Sequence, residues 1–248
     1  MNKRPGDVAT FFEALKLGLG DAFPERVPAS LEIAVFPSFP LLGAAATAAK
    51  TANVELGAQH CGTAESGAFT GEVSPQLLAD FGVRWVLAGH SERRHQFGES
   101  DALVADRAKA ALAAGLSVAY CVGETLAERR DGKLETVLAR QLEPLKAWTP
   151  EQWERTVIAY EPVWAIGTGE TATPEQASEA HRVVARWCRD TVKRAPAILY
   201  GGSVTAANAA ELSAADAVDG LLVGGASLDG KGFAAIAQAL ANAKGKVK

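Results

Sequence analysis

Short apolar runs alternate with helical stretches along almost the whole chain, and this alternation restricts the fold more than any other feature. The runs lack the period-two pattern of a strand with one wet face, and they cover residues 31–36, 54–58, 85–88, 117–122, 156–160, 197–200 and 221–223. Strands buried on both faces have this pattern. The sequence therefore predicts a parallel sheet that helices cover.

Helical stretches separate these runs. The first, residues 6–20, places Val8, Phe12 and Leu15 at helical intervals. The others cover residues 41–50, 75–81, 101–114, 134–148, 174–194, 206–212 and 232–243. Seven strand–helix units in about 220 residues favour a (β/α) barrel. A doubly wound open sheet is the alternative, but no GxGxxG follows the first strand.

The chain opens on a helix, so the strand expected before that helix is not part of the printed sequence. We therefore predict a (β/α)8 barrel of the α/β class whose first strand is apparently missing. Low-complexity tracts, charge runs and Pro/Gly-rich linkers are absent from the 248 residues. This uniformity predicts one domain over residues 1–248.

Charge and cysteine content limit the classes of partner. Lys and Arg total 25 against 29 for Asp and Glu, and the net charge of −4 argues against nucleic acid or an anionic membrane as partner. Cys61, Cys121 and Cys188 lie far apart without metal-binding spacing, which predicts a reduced, cytoplasmic chain without a metal. No signal peptide and no run of eighteen apolar residues occurs, so we expect no membrane span.

Polar residues that follow the strands are the candidates for chemistry, because the loops after barrel strands form the active site. His90 follows the strand 85–88, and Glu161 follows the strand 156–160. A carboxylate facing an imidazole suits proton abstraction next to a carbonyl group, with Glu161 as base and His90 polarising the oxygen. Taken alone, His90 is equally typical of a structural histidine.

Two glycine-rich turns follow the last two strands. The first contains Gly201, Gly202 and Ser203, and the second contains Gly224 and Gly225 before a helical turn at 226–229. Backbone N–H groups in such turns can bind a phosphate. The competing interpretation is that the glycines only relieve crowding at strand ends; two pairs on adjacent strands favour phosphate.

Residues 162–172 form an apolar loop with stiff ends and a Gly-Thr-Gly centre, which is typical of a lid that closes over substrate. Cys121 and Glu124 end the strand 117–122 and are interpreted as packing behind the site.

Five segments together resemble one known family. They are AYEPVWAIGTG at 159–169, GHSERR at 89–94, YGGSV at 200–204, LVGGASL at 222–228 and GAFTGEVS at 67–74. These segments are similar to those of the triosephosphate isomerase family. The resemblance implies a TIM barrel in glycolysis and gluconeogenesis that interconverts dihydroxyacetone phosphate and D-glyceraldehyde 3-phosphate through an enediol(ate), without a cofactor or metal.

The resemblance also implies roles for single residues. Glu161 would move the proton between carbons, and neutral His90 would polarise the carbonyl oxygen. Phosphate would bind to Gly167, Ser203, Gly224 and Gly225, Ile166 and Leu222 would press on Glu161, and Glu92 and Cys121 would support the site from behind. In the implied homodimer, Thr70 would approach the other chain's pocket and Glu72 would pair with Arg93 of the partner subunit.

One part of the family pattern has no counterpart in the printed sequence. The family begins with a strand carrying Asn-x-Lys and then Met-Asn, whereas this sequence begins at Met1 and Asn2. The alternative function is therefore a catalytically impaired barrel that binds sugar phosphates. A further alternative is another phosphate-binding barrel enzyme, which would share the glycine-rich turns but would not require His90 and the lid beside Glu161.

Overall fold

In the part of the chain that the structure describes, seven parallel strands pair in the order in which they occur in the sequence. The computed structural model describes residues 2–166 and 171–245. The strands are β1 (Ala34–Val35), β2 (Glu55–Ala58), β3 (Trp85–Ala88), β4 (Ser117–Val122), β5 (Thr156–Tyr160), β6 (Ile198–Tyr200) and β7 (Gly220–Leu221). Sequential parallel pairing with helices between the strands confirms the predicted barrel class.

Helices separate the successive strands, and further helices precede the first strand and follow the last. They are α1 (Asp7–Ala22), α2 (Leu42–Ala52), α3 (Pro75–Asp80), α4 (Ser91–Gln96), α5 (Asp101–Ala113), α6 (Leu126–Arg130), α7 (Leu134–Leu142), α8 (Pro150–Glu154), α9 (Pro174–Trp187), α10 (Ala209–Ala214) and α11 (Gly230–Gly245). Short 3₁₀ turns and one π turn, Cys188–Val192, extend several of them. None of the helices in the described residues has the length and apolar character required to cross a bilayer.

Several predicted bounds differ from the observed ones for local reasons. The strands 85–88, 117–122 and 156–160 have the predicted bounds, whereas the predicted strand 31–36 contracts to the two residues that pair with β2. The predicted helix 134–148 ends at Leu142 and continues as a 3₁₀ turn containing Pro144, whose ring removes one N–H donor. The short helices α4, α6 and α8 were not predicted, because five or six residues carry little periodic signal.

The outer helix layer continues across the gap between the two edge strands. Within the described ranges, β1 and β7 form the edges of the sheet, while α1 packs against both α11 and α2. A Cβ atom on Gly18 would lie only 2.8 Å from Cβ of Ala234, and one on Gly230 only 2.6 Å from the backbone of α1. These two glycines permit the close approach of α1 and α11.

The strand register places the residues that follow the strands along one edge. Val122 is opposite Tyr160, and Tyr160 is opposite Tyr200. The ladder continues one residue further, because the N–H of Glu161 donates to the Val122 carbonyl at 2.7 Å and that of Gly201 donates to the Tyr160 carbonyl at 2.7 Å. The peptide unit that joins Tyr160 to Glu161 is therefore held by backbone hydrogen bonds on both sides.

Candidate active site

Glu161 and His90, which lie 71 positions apart in sequence, meet at the carboxyl edge of the sheet. Oε1 of Glu161 lies 3.0 Å from Nε2 of His90. Oε2 of the same carboxylate accepts the backbone N–H of Ser91 at 2.7 Å. Glu161 is 2% exposed, whereas the imidazole is partly open to solvent. The structure thus brings together the two residues predicted to react.

The turn after β3 determines how His90 is presented. Gly89 has a φ of +77°, in the left-handed region, so the chain can turn sharply before His90. His90 then caps the N-terminus of α4, and its Nδ1 accepts the backbone N–H of Glu92 at 3.4 Å. A ring nitrogen that accepts a hydrogen bond cannot carry a proton. Nε2 is therefore the nitrogen that carries the proton and donates a hydrogen bond to Glu161.

Burial shapes the acid–base properties of Glu161. Loss of solvation raises the pKa of its carboxyl group above the ordinary value, and this effect exceeds the opposing attractions of His90, the Ser91 N–H and Arg94. A carboxylate with a raised pKa is a stronger base. Cys121 lies fully buried behind it, and burial, followed by the nearby Glu161, raises the pKa of that thiol well above its usual value.

Glycines at the neighbouring strand ends make room for the carboxylate. A Cβ atom on Gly123 would overlap the Glu161 carbonyl oxygen, and one on Gly201 would lie 2.9 Å from Cγ of Glu161. A Cβ atom on Gly202 would collide with the Tyr200 hydroxyl group. Crowding at the strand ends therefore explains why positions 201 and 202 are glycine.

Gly224 and Gly225 differ from that first pair. Among the described residues, no atom lies within 4 Å of a Cβ built on either glycine, so packing against that part of the chain does not explain them. They begin the 3₁₀ turn Gly225–Leu228, one residue earlier than the predicted turn. Leu222 is half-buried just before them, and its Cβ lies 3.6 Å from a Cβ built on Gly201, beside Glu161.

Ser203 connects the first glycine-rich turn to the beginning of the lid. Its hydroxyl group donates to the Ala165 carbonyl at 2.7 Å, and its own carbonyl accepts Nδ2 of Asn208 at 3.0 Å. Ile166, the next lid residue, is half-buried. Gly167, predicted to bind phosphate, lies outside the described residues.

Glu124 anchors the near end of the lid, a contact that the sequence did not reveal. Its Oε1 accepts the indole N–H of Trp164 at 2.9 Å and the hydroxyl group of Tyr160 at 3.0 Å. The Arg129 guanidinium lies 3.5 Å away. The carboxyl group is fully buried, and burial raises its pKa above the ordinary value despite these partners. Glu124 was interpreted only as packing behind the site, but its hydrogen bond from Trp164 also anchors the lid.

Comparison with known proteins decides the family. The family model described as triosephosphate isomerase matches residues 1–240. The chain belongs to the triosephosphate isomerase family. It is accordingly an isomerase of triose phosphates with a TIM barrel fold, and no finding favours the catalytically impaired alternative.

Curated relatives in the triosephosphate isomerase family cover most of the chain. The triosephosphate isomerase of Bordetella pertussis is 51% identical over 212 residues, which are 85% of each chain. That of Taenia solium is 52% identical over 181 residues, covering 71% of this chain and 72% of the relative. That of Dictyostelium discoideum is 39% identical over 239 residues, covering 95% and 92%.

In this triosephosphate isomerase family member, the loop at 67–74 is tied to its own subunit. Arg107 donates to both carboxylate oxygens of Glu72, at 2.6 and 3.1 Å. Arg93 donates to Glu99 at 2.7 Å, and Thr70 is exposed. The contact predicted between Glu72 and Arg93 of the partner subunit stays a prediction.

Glu92, predicted to support the site, lies at its surface. Its side chain is 64% exposed, and Oε2 is 3.9 Å from Nδ1 of His90. Its contribution to the site is the backbone N–H that fixes the His90 tautomer. Within residues 2–166 and 171–245, no three or more His, Cys, Asp or Glu side chains lie close enough to hold a metal ion.

Proposed function

We propose that Glu161 and His90 together carry out the interconversion of dihydroxyacetone phosphate and D-glyceraldehyde 3-phosphate. The 3.0 Å contact between Glu161 Oε1 and His90 Nε2, at a buried strand end, is the observation that supports these roles. A buried carboxylate supplies a strong base, and an imidazole N–H beside it supplies the donor that an enolate oxygen requires.

The geometry favours the following sequence of events. A substrate carbonyl oxygen can accept the hydrogen bond that Nε2–H of His90 otherwise donates to Glu161. Oε1 of Glu161 then has no donor and is free to accept a proton from the neighbouring carbon. The Ser91 N–H holds Oε2 meanwhile, at 2.7 Å. Negative charge develops on the oxygen that faces His90, and the proton of the neighbouring hydroxyl group moves to that oxygen while Glu161 returns its own proton to the adjacent carbon. Every proton taken up by the carboxylate is given back.

Ser203, Gly224, Gly225 and Gly167 are the proposed phosphate ligands. The open space beside Gly224 and Gly225 leaves room for an anion close to the backbone, where N–H groups can bind it. Binding the phosphate there would hold the reacting carbons at a fixed distance from Glu161. Ile166 and Leu222 would flank the carboxylate and exclude water when the lid closes.

Isotope exchange tests this proton-transfer route. We expect isomerisation of dihydroxyacetone phosphate in D₂O to place deuterium on C2 of glyceraldehyde 3-phosphate, because a proton held by Glu161 can exchange before it is returned. Mass spectrometry of the trapped product measures the label. Complete retention of substrate hydrogen at C2 would contradict the expected exchange at Glu161.

We also propose that the protein is a homodimer. Large apolar side chains are exposed in three segments, namely Phe69 at 54%, Leu77 at 54% with Phe81 at 50%, and Phe97 at 68%. Ion pairs of Arg107 with Glu72 and Glu99 connect the segments of Phe69 and Phe97. A monomer rarely exposes so many large apolar side chains in neighbouring segments. A second copy of the chain, with Thr70 and Glu72 at the contact, would cover them.

Light scattering tests the homodimer. At micromolar concentration we expect a particle of twice the 25.9 kDa chain mass. Phe69→Asp is expected to shift the population toward the monomer, because a charge would be buried at the contact. Leu17→Asp is the matched control, since Leu17 is 56% exposed on α1, outside the three segments. A 25.9 kDa particle for the unsubstituted chain would contradict the proposal.

Two further assignments remain proposals. We infer one domain over residues 1–248, supported by a cluster of buried apolar side chains that extends from Val8 to Ala237. We place the protein in the cytoplasm, supported by three buried free thiols at Cys61, Cys121 and Cys188, which suit a reducing compartment.

A further inference from the structure

Arg94 lies one turn after His90 on α4, and its side chain is largely buried. Its side chain is 8% exposed. Each of its three nitrogen atoms has an acceptor, since Nε donates to the Gly89 carbonyl at 2.9 Å, Nη2 to the Cys121 carbonyl at 3.0 Å and Nη1 to Asp101 at 2.5 Å. A planar guanidinium group is therefore bonded in three directions.

The acceptors belong to the segments that carry the reacting residues. Gly89 immediately precedes His90, so the bond from Nε fixes the turn that presents the imidazole. Cys121 lies on β4 opposite Ala159 of β5, and the next ladder bond runs from the Glu161 N–H to Val122. The guanidinium group thus joins the end of β3 to the end of β4, next to Glu161.

Arg94 also contributes charge. The guanidinium is one of the groups that oppose the effect of burial on the carboxyl pKa of Glu161. The titratable or charged groups that face Glu161 are His90, Glu92, Arg94 and Cys121. Of these four, Arg94 is a permanent cation, so it favours the ionised carboxylate at every pH at which the enzyme works.

We propose that Arg94 is a positioning residue for the isomerisation, because its three-way bridge holds His90 against Glu161 and keeps a positive charge behind the carboxylate. This inference rests on the proposed roles of His90 and Glu161. Arg94 acts through these residues and does not contact the reacting atoms. Asp101 completes the bridge, since it also accepts Nε of the exposed Arg140 at 3.1 Å.

Two substitutions separate geometry from charge. Arg94→Met removes both, and we expect kcat to fall about 10- to 100-fold with little change in KM, since misplacement of the reacting groups has costs of this order. The acid limb of the kcat/KM profile should also move to higher pH, because the pKa of Glu161 rises. Arg94→Lys keeps the charge without the planar fork, so kcat should fall while the acid limb stays near that of the parent.

Arg84→Met is the matched control, because Arg84 is 69% exposed in the side chain and pairs with Glu55 at 3.8 Å before β3 begins. It should leave kcat, KM and the pH profile unchanged. Rates are expressed per folded molecule, with the folded fraction taken from circular dichroism. A parent-like kcat with an unmoved acid limb in both Arg94 variants would overturn the proposal and leave a purely structural role.

Asp101→Asn is the second test if Arg94→Met does not fold, because it weakens the contact of Arg94 with residue 101 without removing the guanidinium cation. We expect a lower kcat at unchanged KM, and a parent-like kcat would overturn the proposal. Glu161→Gln, assayed in parallel, separates a failure of the proposed function from a failure of the role proposed for Arg94. If it retains turnover, the proposed function fails; if it loses turnover while the Arg94 variants keep theirs, only the role of Arg94 fails.

Discussion

Replacing Glu161 by Gln is expected to lower kcat about 100- to 10 000-fold, the range that general acid–base catalysis contributes. The amide keeps the size of the side chain and can still accept the Ser91 N–H, but it cannot take a proton from carbon. Affinity for sn-glycerol 3-phosphate, an analogue without a carbonyl group, should change little, because its phosphate binds elsewhere. Turnover is measured with a coupled assay and affinity by titration calorimetry.

The same substitution should make the protein more stable at neutral pH. Burial raises the carboxyl pKa of Glu161 above its unfolded value, so the native state binds this proton more readily than the unfolded state does. The stabilisation that results is present at low pH and is lost as pH rises through the folded pKa. Above the folded pKa the ionised carboxylate is therefore a cost, which Gln removes.

A higher Tm together with a large loss of turnover would exclude unfolding as the cause of that loss. Glu154→Gln is the matched control, because Glu154 is an exposed glutamate just before the opposite end of β5. It should change neither kcat nor Tm appreciably. Parent-like turnover in Glu161→Gln would show that another group is the base.

Residues whose role depends on their place after a strand were predictable. His90 and Glu161 directly follow β3 and β5, and parallel strands necessarily bring their carboxyl ends to one edge. Strands with strongly apolar sequences, such as Ser117–Val122, were also predictable, because burial on both faces leaves a local signal. Edge strands such as β1 carry less of that signal, and its predicted length was wrong.

Contacts that depend on packing between distant segments were not predictable. Arg94 reaches Cys121, 27 positions away, and Glu124 reaches Trp164, 40 positions away. The sequence shows that Arg94 and Glu124 are charged residues near strand ends. Their hydrogen-bond partners are determined by helix orientation and strand register, which the sequence does not show. The best available signal was the cost of burying a charge, which implies a partner without identifying it.

His181 illustrates the same limit. It lies within the predicted helix 174–194, and the period of α9 places it on the buried face. The structure adds a partner 36 positions away, because Nδ1 lies 2.9 Å from the Ala217 carbonyl. Tyr160 and Tyr200 pack near the ring, with centroids 5.7 and 6.3 Å away. Burial therefore favours the neutral form of this imidazole in the native state.

We expect His181 to make the protein acid-sensitive. Burial, aided by Lys244, lowers the pKa of His181 to about 4, although the Ala217 carbonyl and Asp219 act in the opposite direction. The unfolded chain has the ordinary value near 6.5, so it binds a proton that the native state refuses. Stability is therefore complete above pH 6.5 and falls between pH 6.5 and 4, by about 3 kcal/mol in total.

Asparagine at position 181 removes the titration while keeping an N–H donor near the Ala217 carbonyl. His181→Asn loses some packing at every pH, but its loss of unfolding free energy between pH 7 and pH 4.5 should be smaller than that of the parent by about 2 to 3 kcal/mol. Urea unfolding at both pH values measures this difference. Comparing the two proteins cancels the shared contributions of Glu161 and Glu124, whose raised pKa values act in the opposite direction.

His95→Asn is the matched control, because His95 is exposed on α4. It should lose as much stability on acidification as the parent does, and the contrast with His181→Asn isolates the buried ring. If His181→Asn and the parent lose equal stability between pH 7 and pH 4.5, the native state must accept the proton at position 181. Nε2, which has no hydrogen-bond partner among the described residues, would then have to find an acceptor on protonation. The packing of α9 against Tyr160 and Tyr200 would have to open to provide it.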